Sequence, residues 1–364
     1  MRRLTVLSVS YPLAPVGPDA VGGSEQVLSA LDHALVAQGH RSVVVACEGS
    51  QVAGRLLSYP APPGDRAIGE QDGLDGQRWV RARVAEALGE EKIDVIHMHG
   101  LDFHRCLPEP GVPLLATLHL PPDWYPAEGL APTREDSWVH CVSKSQAARM
   151  PDTAAVRAAM LPPIPNGVPV ERLGALRPRK CGYALMLARV CPEKGLHLAL
   201  EAAHAAGTTL LIGGEIFAYQ AHRDYFEEKV RPLLDKRRRY LGPVGFAQKR
   251  RLLAAARCLL VPSLVAETSS LVAMEAASCG TPVVAFRSGA LPEVVEEGRT
   301  GFLVDDAERM ARAIGRVGTL DAETIRGVAR RRFSHERMAA AYIKRYRALA
   351  RQDTRVKPSG RLAA

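Results

Sequence analysis

The residues best suited to chemistry are two carboxylates, Glu267 and Glu275, eight positions apart with the small polar run Thr268-Ser269-Ser270 between them. The preceding run 258–262, CLLVP, reads as a strand that opens into a loop. A serine at 269 or 270 suits a helix start, because its side chain can accept from free N–H groups there. Leu271, Met274 and the alanines give that helix an inward face, and Cys279-Gly280 an end. Glu267 then lies in the loop before a helix N-terminus, and Glu275 about two turns inside the helix. A helix N-terminus attracts phosphate, and carboxylates accept hydrogen bonds from sugar hydroxyls. One diphosphate and two polyols fit such a stretch. By themselves, the two glutamates read equally well as a loop acid and a solvated helix residue.

Two cations bracket another loop. Arg189 ends the apolar run YALMLAR, and Lys194 precedes a helix carrying Leu196, Leu198 and Leu200. At the C-terminal end of a strand such a pair neutralises a diphosphate; as a bare pair it reads equally as surface charge. His119 follows the strand-like run VPLLATL, at the kind of strand end where open α/β sheets bind ligands. Trp124 and Tyr125 beyond it offer a stacking surface for an acceptor or a cover for the core. His97 and His99 alternate along IDVIHMHG and so share a strand face; with no third ligand nearby they read as packing or cleft-lining residues rather than a metal pair. Gly22-Gly23 opens a helix after the first strand and lets a ligand approach the backbone.

The elements that must position these residues alternate between strand-like and helix-like runs throughout, which predicts an α/β protein with parallel sheets. A chain of 364 residues, 47% hydrophobic, is long enough for two cores. The proline cluster at 161–169 reads as the linker between two α/β halves. Segment 51–76, rich in Gly, Pro and Asp, reads as a loop, followed by a helix over 79–88. The opening MRRLTVLSVSYPLAP reads as a buried strand rather than a signal peptide, and no run approaches the roughly 20 apolar residues of a membrane helix. Seven cysteines without a C-x-x-C pair fit a reducing cytoplasm. The net charge of +9 suits anionic partners. Its basic runs (236–239, 249–251, 330–332) lack the aromatic interleaving of a nucleic-acid platform and read as solvated helix faces, with weak peripheral contact to anionic lipid as the alternative. No G-x-G-x-x-G follows the first strand, which counts against a dinucleotide dehydrogenase.

Five motifs, in order, resemble those of glycosyltransferase family 4: GGSE at 22–25, Thr117-Leu118-His119, I-x-NGV at 164–168, LARVCPEKG at 187–195, and the Glu267/Glu275 pair followed by G-T-PVV. The resemblance implies a GT-B fold: two Rossmann-like domains facing across a cleft, 1–163 on the acceptor side and 164–334 binding the nucleotide sugar. It also implies a helix over 336–350 that packs back on the first domain; the tail 351–364 reads as disordered. It implies a retaining, metal-independent hexosyl-type transferase, with a nucleotide diphosphate sugar (UDP, or GDP) as substrate rather than cofactor. The acceptor would be a carbohydrate, a lipid-linked molecule or a small molecule. In these terms His119 lies beside the transferred sugar, Glu267 contacts it, and Glu275 holds the ribose. Arg189, Lys194, Gly22, Gly23 and the loop Ser269-Ser270-Leu271 hold the diphosphate, while Gly213 and Gly242 surround the base. The family often reads E-x-F-G-L where this chain has Ser270 in place of the glycine, and Ala188 also stands where glycine is usual. A GT-B epimerase or phosphorylase, and a non-catalytic nucleotide-sugar-binding protein, are the alternatives.

Overall fold

The computed structural model describes residues 2–63, 66 and 68–352. Among these, thirteen strands form two sheets, and every pairing is parallel. The first contains β1 (Thr5–Val9), β2 (Arg41–Cys47), β3 (Arg55–Tyr59), β4 (Val95–Met98), β5 (Leu114–Leu118), β6 (Ser137–Cys141) and β7 (Met160–Leu161), in the order β3-β2-β1-β4-β5-β6-β7. The second contains β8 (Tyr183–Leu187), β9 (Thr209–Gly213), β10 (Arg238–Tyr240), β11 (Cys258–Val261), β12 (Val283–Phe286) and β13 (Gly301–Val304), in the order β10-β9-β8-β11-β12-β13. Helices cover both faces, so neighbouring residues of a central strand are buried on either side: Val43, Val44 and Val45 are all fully buried. In each sheet the strand order reverses beside its first strand, between β1 and β4 and between β8 and β11. Such reversals open a crevice at the strands' C-terminal ends. Both crevices are occupied by the residues singled out above.

Segment 51–76 departs from the loop expected of it. It contains β3, paired along its length with β2, and the start of a helix that runs Glu70–Glu90, longer than the one predicted. Loop-forming composition misleads here because two of the glycines serve the helix itself. The Asp72 carboxylate accepts the Gly69 N–H at 2.8 Å and caps the helix start. Gly76 lies so close to the first sheet's exit loop that a Cβ there would sit 2.7 Å from Pro12 Cβ. The basic runs are likewise not uniformly solvated. Arg238 is buried and bonds the Ala203 carbonyl, Lys249 is half-buried in an ion pair with Glu275, and Arg332 pairs with Glu296.

The chain crosses between the sheets twice. After β7 it passes Gly167 into the second unit, and after Phe333 it returns. The two crossings are laced together: Val168 N–H donates to the Phe333 carbonyl at 2.7 Å, and His335 N–H to the Val168 carbonyl at 3.1 Å. The returning helix, His335–Gln352, buries Met338, Tyr342, Ile343 and Tyr346 against Leu4, Val27, Leu31 and Leu115 of the first unit. It continues through Arg351 and Gln352, which the sequence assigns to a tail; residues 353–364 of that tail lie outside the described residues. Among the described residues no helix is long and apolar enough to cross a membrane, and all seven cysteines are free, six of them buried.

Candidate active site

At the second sheet's crevice, the loop leaving β8 carries Arg189 and Lys194 and ends at Gly195, whose φ of 65° is left-handed. No other residue type fits Gly195: a Cβ would lie 2.3 Å from the Pro262 carbonyl oxygen at the exit of β11. That close approach joins the two loops. Lys194 Nζ donates to Glu267 Oε1 at 2.6 Å, and Ser263 Oγ donates to the same oxygen at 2.5 Å. Burial works to raise the Glu267 pKa, but Lys194, Ser263 and Arg189 outweigh it and hold the carboxylate below its usual value. Arg189 has no carboxylate partner among the described residues; its guanidinium lies 5.6 Å from the centre of the Phe217 ring. It is the cation left available to an anion.

The helix that follows runs Leu271–Ser278, and neither serine caps it with its side chain. This corrects the expected role of Ser269 and Ser270. Ser270 sits in the left-handed region, φ 59°, one of two described non-glycine residues with positive φ. That conformation costs an L-residue roughly 1–2 kcal/mol and accounts for the glycine usual in the family. The Ser269 and Ser270 hydroxyls are both buried with no hydrogen-bond partner. Buried hydroxyls left unpaired cost about 1–3 kcal/mol each, and here they flank a helix N-terminus, where an anionic ligand's oxygens would satisfy them. Glu275, buried just over one turn into this helix rather than the two turns expected, accepts from Lys249 Nζ at 2.5 Å. Gly213 ends β9; Gly242, with φ 76°, follows β10 and accepts the Gly214 N–H at 2.9 Å.

The first sheet's crevice differs in kind. Gly22 is the N-cap of the helix Gly23–Ala37, and a Cβ on Gly23 would lie 3.3 Å from Leu271 Cδ1, so the two glycine- and serine-lined helix starts meet across the cleft. Glu25 is buried there; burial raises its pKa against the opposing pull of its own backbone, Ser24 and Arg189. His119, half-buried at the exit of β5, has its Nε2 3.0 Å from His99 Nδ1, and desolvation pushes its pKa down to about 3. His97 and His99 are buried and commit their ring nitrogens to hydrogen bonds with Thr117, Tyr346, His119 and each other. Tyr125 corrects the expected acceptor surface. It is a core residue whose hydroxyl accepts the His119 and Leu120 N–H groups, at 3.0 and 3.2 Å. Its work is to hold the His119 loop. Trp124 beside it is 40% exposed.

Three contacts join the rims: Thr268 Oγ1 donates to the His119 carbonyl at 2.7 Å, Glu293 accepts the Lys144 and Ser145 N–H groups, and Asp19 accepts the Phe246 N–H. None of these was anticipated, and neither was Lys249. Asp102, at the exit of β4, was missed as well: Gln77 Nε2 donates to it at 2.7 Å, and burial raises its pKa. Its position just beyond the strand-end His99-Gly100 was the available signal.

Comparison with known proteins agrees with this geometry. Residues 21–172 match the model described as Glycosyltransferase Family 4, and residues 182–319 the one described as Glycosyl transferases group 1. The chain is 28% identical to a glycogen synthase of Mycobacterium tuberculosis over 82% of its length and 81% of that protein. It is 26% identical to a phosphatidyl-myo-inositol mannosyltransferase of Mycobacterium leprae, over 94% and 98%. Among solved structures, AviGT4, a glycosyltransferase involved in avilamycin A biosynthesis, superposes with a TM-score of 0.68 at 26% identity, over 96% of this chain and 98% of that one. The epimerase, phosphorylase and non-catalytic readings are not favoured. The two matched stretches take in both sides of the cleft: the chain belongs to glycosyltransferase family 4, with GT-B architecture.

Proposed function

We propose that this enzyme moves a hexosyl-type sugar from a nucleoside diphosphate sugar, with UDP preferred over GDP, to an acceptor hydroxyl with retention of configuration and without a divalent metal. The observation that carries this reading is the helix start at Leu271, where two buried unpartnered hydroxyls, Arg189 and the Lys194–Glu267 pair converge. A diphosphate bound there meets fixed dipoles and cations before the reaction begins, the arrangement that stabilises charge developing on a leaving group. Glu275 takes the ribose hydroxyls, Gly213 and Gly242 surround the base, and Glu267 and His119 contact the sugar. Trp124 stacks on the acceptor. The bond from the anomeric carbon to the diphosphate oxygen breaks with its electron pair on the diphosphate. The acceptor oxygen bonds to the same face of that carbon, and its proton passes to the departing phosphate. The relatives' names suggest two acceptor classes to try, a glucan and an inositol phospholipid; the second would bring the basic surface into contact with anionic lipid.

The test is incubation of the purified protein with a panel of UDP- and GDP-sugars, with and without chelator, followed by NMR of the product's anomeric proton. The expected result is turnover insensitive to chelator and a product with the donor's anomeric configuration. A strict requirement for divalent metal, or an inverted product, overturns the corresponding part of the reading.

A further inference from the structure

Beneath His119 runs a chain of buried hydrogen bonds with only one consistent direction. It starts at the Cys141 backbone carbonyl, 3.0 Å from His140 Nδ1. A carbonyl only accepts, so His140 Nδ1 carries a proton. Burial holds His140 neutral, its pKa pushed down to about 3, so its Nε2 is bare and accepts from Thr117 Oγ1 at 2.7 Å. Threonine has a single hydroxyl proton, now committed. Thr117 therefore accepts from both its other neighbours, the Tyr342 hydroxyl at 3.2 Å and His97 Nε2 at 2.7 Å. His97 is fully buried and neutral, which leaves its Nδ1 bare, and two donors share it: the Tyr346 hydroxyl at 2.6 Å and His99 Nε2 at 3.1 Å. With its proton on Nε2, neutral His99 presents a bare Nδ1 to His119 Nε2 at 3.0 Å. The opposite polarity would set the lone pairs of His97 Nδ1 and His99 Nε2 against each other. Among the described residues, nothing hydrogen-bonds His119 Nδ1.

We infer that this chain fixes His119 as the tautomer with its proton on Nε2, so that Nδ1 faces the cleft as a hydrogen-bond acceptor, and that His99 is the positioning residue that holds it so. What Nδ1 accepts rests on the proposed function: a hydroxyl of the transferred sugar. The tautomer does not rest on it, being a property of the unliganded protein. His119 thus takes a hydroxyl proton's hydrogen bond and is no proton donor to the leaving group. Tyr342 and Tyr346, from the returning helix, donate to Thr117 Oγ1 and His97 Nδ1 and so help fix those two atoms as acceptors.

Long-range proton–nitrogen correlation spectra of the full chain, labelled with 15N-histidine at neutral pH, read the tautomer directly. The His119 pattern is assigned by its loss in His119→Asn. We expect protonated Nε2 and bare Nδ1 for both His119 and His99. His99→Leu removes the acceptor beneath His119: its spectrum should change to a mixture of tautomers, and kcat should fall about tenfold with donor KM unchanged. His99→Asn returns an amide oxygen near the lost Nδ1 and should restore most of kcat and the original pattern, although both variants lose the bond to His97. A proton on Nδ1 of His119 in the wild type overturns the inference, as does an unchanged His119 pattern in His99→Leu. Should the leucine variant fail to fold, the wild-type spectrum still decides the polarity. The inferred tautomer combined with full activity in His119→Ala would support the inference and overturn the sugar contact alone.

Discussion

The two rims of the cleft solve different electrostatic problems with different materials. The second sheet's rim is built from charge: Lys194 on Glu267, Lys249 on Glu275, and Arg189 left over an aromatic ring. The first sheet's rim is built from neutral rings and hydroxyls: His119, His99, His97, Thr117 and His140, all joined by hydrogen bonds. The first arrangement suits a partner that arrives and leaves as an anion, because Arg189 has no carboxylate among the described residues to give up and Lys194 can trade Glu267 for a phosphate at the cost of that ion pair. The second suits a fixed direction, because buried neutral groups cannot change partners without leaving a polar atom unpaired. Charge responds on one side, and orientation persists on the other.

The sharpest way to break that contrast is at its two ends. His119→Ala should lower kcat by about 10²-fold or more, the scale of a lost transition-state contact, while calorimetry shows donor affinity nearly intact. Equal loss in both would make the first rim a binding surface like the second. Next, Arg189→Ala should weaken nucleoside diphosphate binding by roughly 1.5–3 kcal/mol, and Lys194→Ala by clearly less, because Lys194 must first leave Glu267. If titration calorimetry shows the larger loss in the lysine variant, the exchangeable-pair description is wrong.

Acid separates the rims by pH window. His97 and His140 have folded-state pKa values below the ordinary 6.5. The unfolded chain therefore binds protons that the folded one refuses, and stability falls as pH drops below about 6.5, by up to about 1.4 kcal/mol per pH unit for each such histidine. Glu267 is also held low, but its ordinary value is 4.5, so its stabilisation is complete above that pH and is lost only as pH falls further. Urea melts at pH 7 and 5.5 thus sample the buried histidines but not Glu267, against an opposite contribution from Glu25 and Asp102, whose pKa values burial raises; stability rising toward pH 5.5 would mean that the carboxyls and not the rings dominate. The smallest expected effect is Ser270→Gly, which should raise stability by about 0.5–1 kcal/mol through relief of the left-handed backbone and slightly weaken diphosphate binding through loss of the hydroxyl. A lowered melting temperature would show that the hydroxyl's surroundings matter more than φ.

Much of this was legible in the sequence. The central strands are rich in valine, leucine and isoleucine, and the charged residues at the C-terminal ends of the second sheet's strands sit where an open sheet gathers ligands. Glu267 and Glu275 could be placed relative to a helix start from spacing alone. Their cationic partners were not equally visible. Lys194 is 73 residues from Glu267, and Lys249 belongs to a helix whose polar face resembles any solvated one. Tyr125 was misplaced because a tyrosine on a loop with one polar atom reads alike whether it stacks on a ligand or braces a turn. The strand β3 was hidden by its proline- and glycine-rich surroundings, since pairing to β2 is a non-local contact that composition does not record.

The returning helix ties the order of synthesis to the order of folding. Leu4, Val27, Leu31, Val95 and Leu115 are made more than two hundred residues ahead of the side chains that cover them, Met338, Tyr342, Ile343 and Tyr346. During translation the first unit must therefore wait, with an apolar face uncovered and the Thr117 and His97 polar groups lacking two of their donors, while the whole second unit is built. Such a nascent chain is exposed to aggregation and is a natural client for chaperones. Once the helix docks, the first unit cannot be finished without the second, and a ribosome stalled before residue 335 yields no half-enzyme, only an incomplete one.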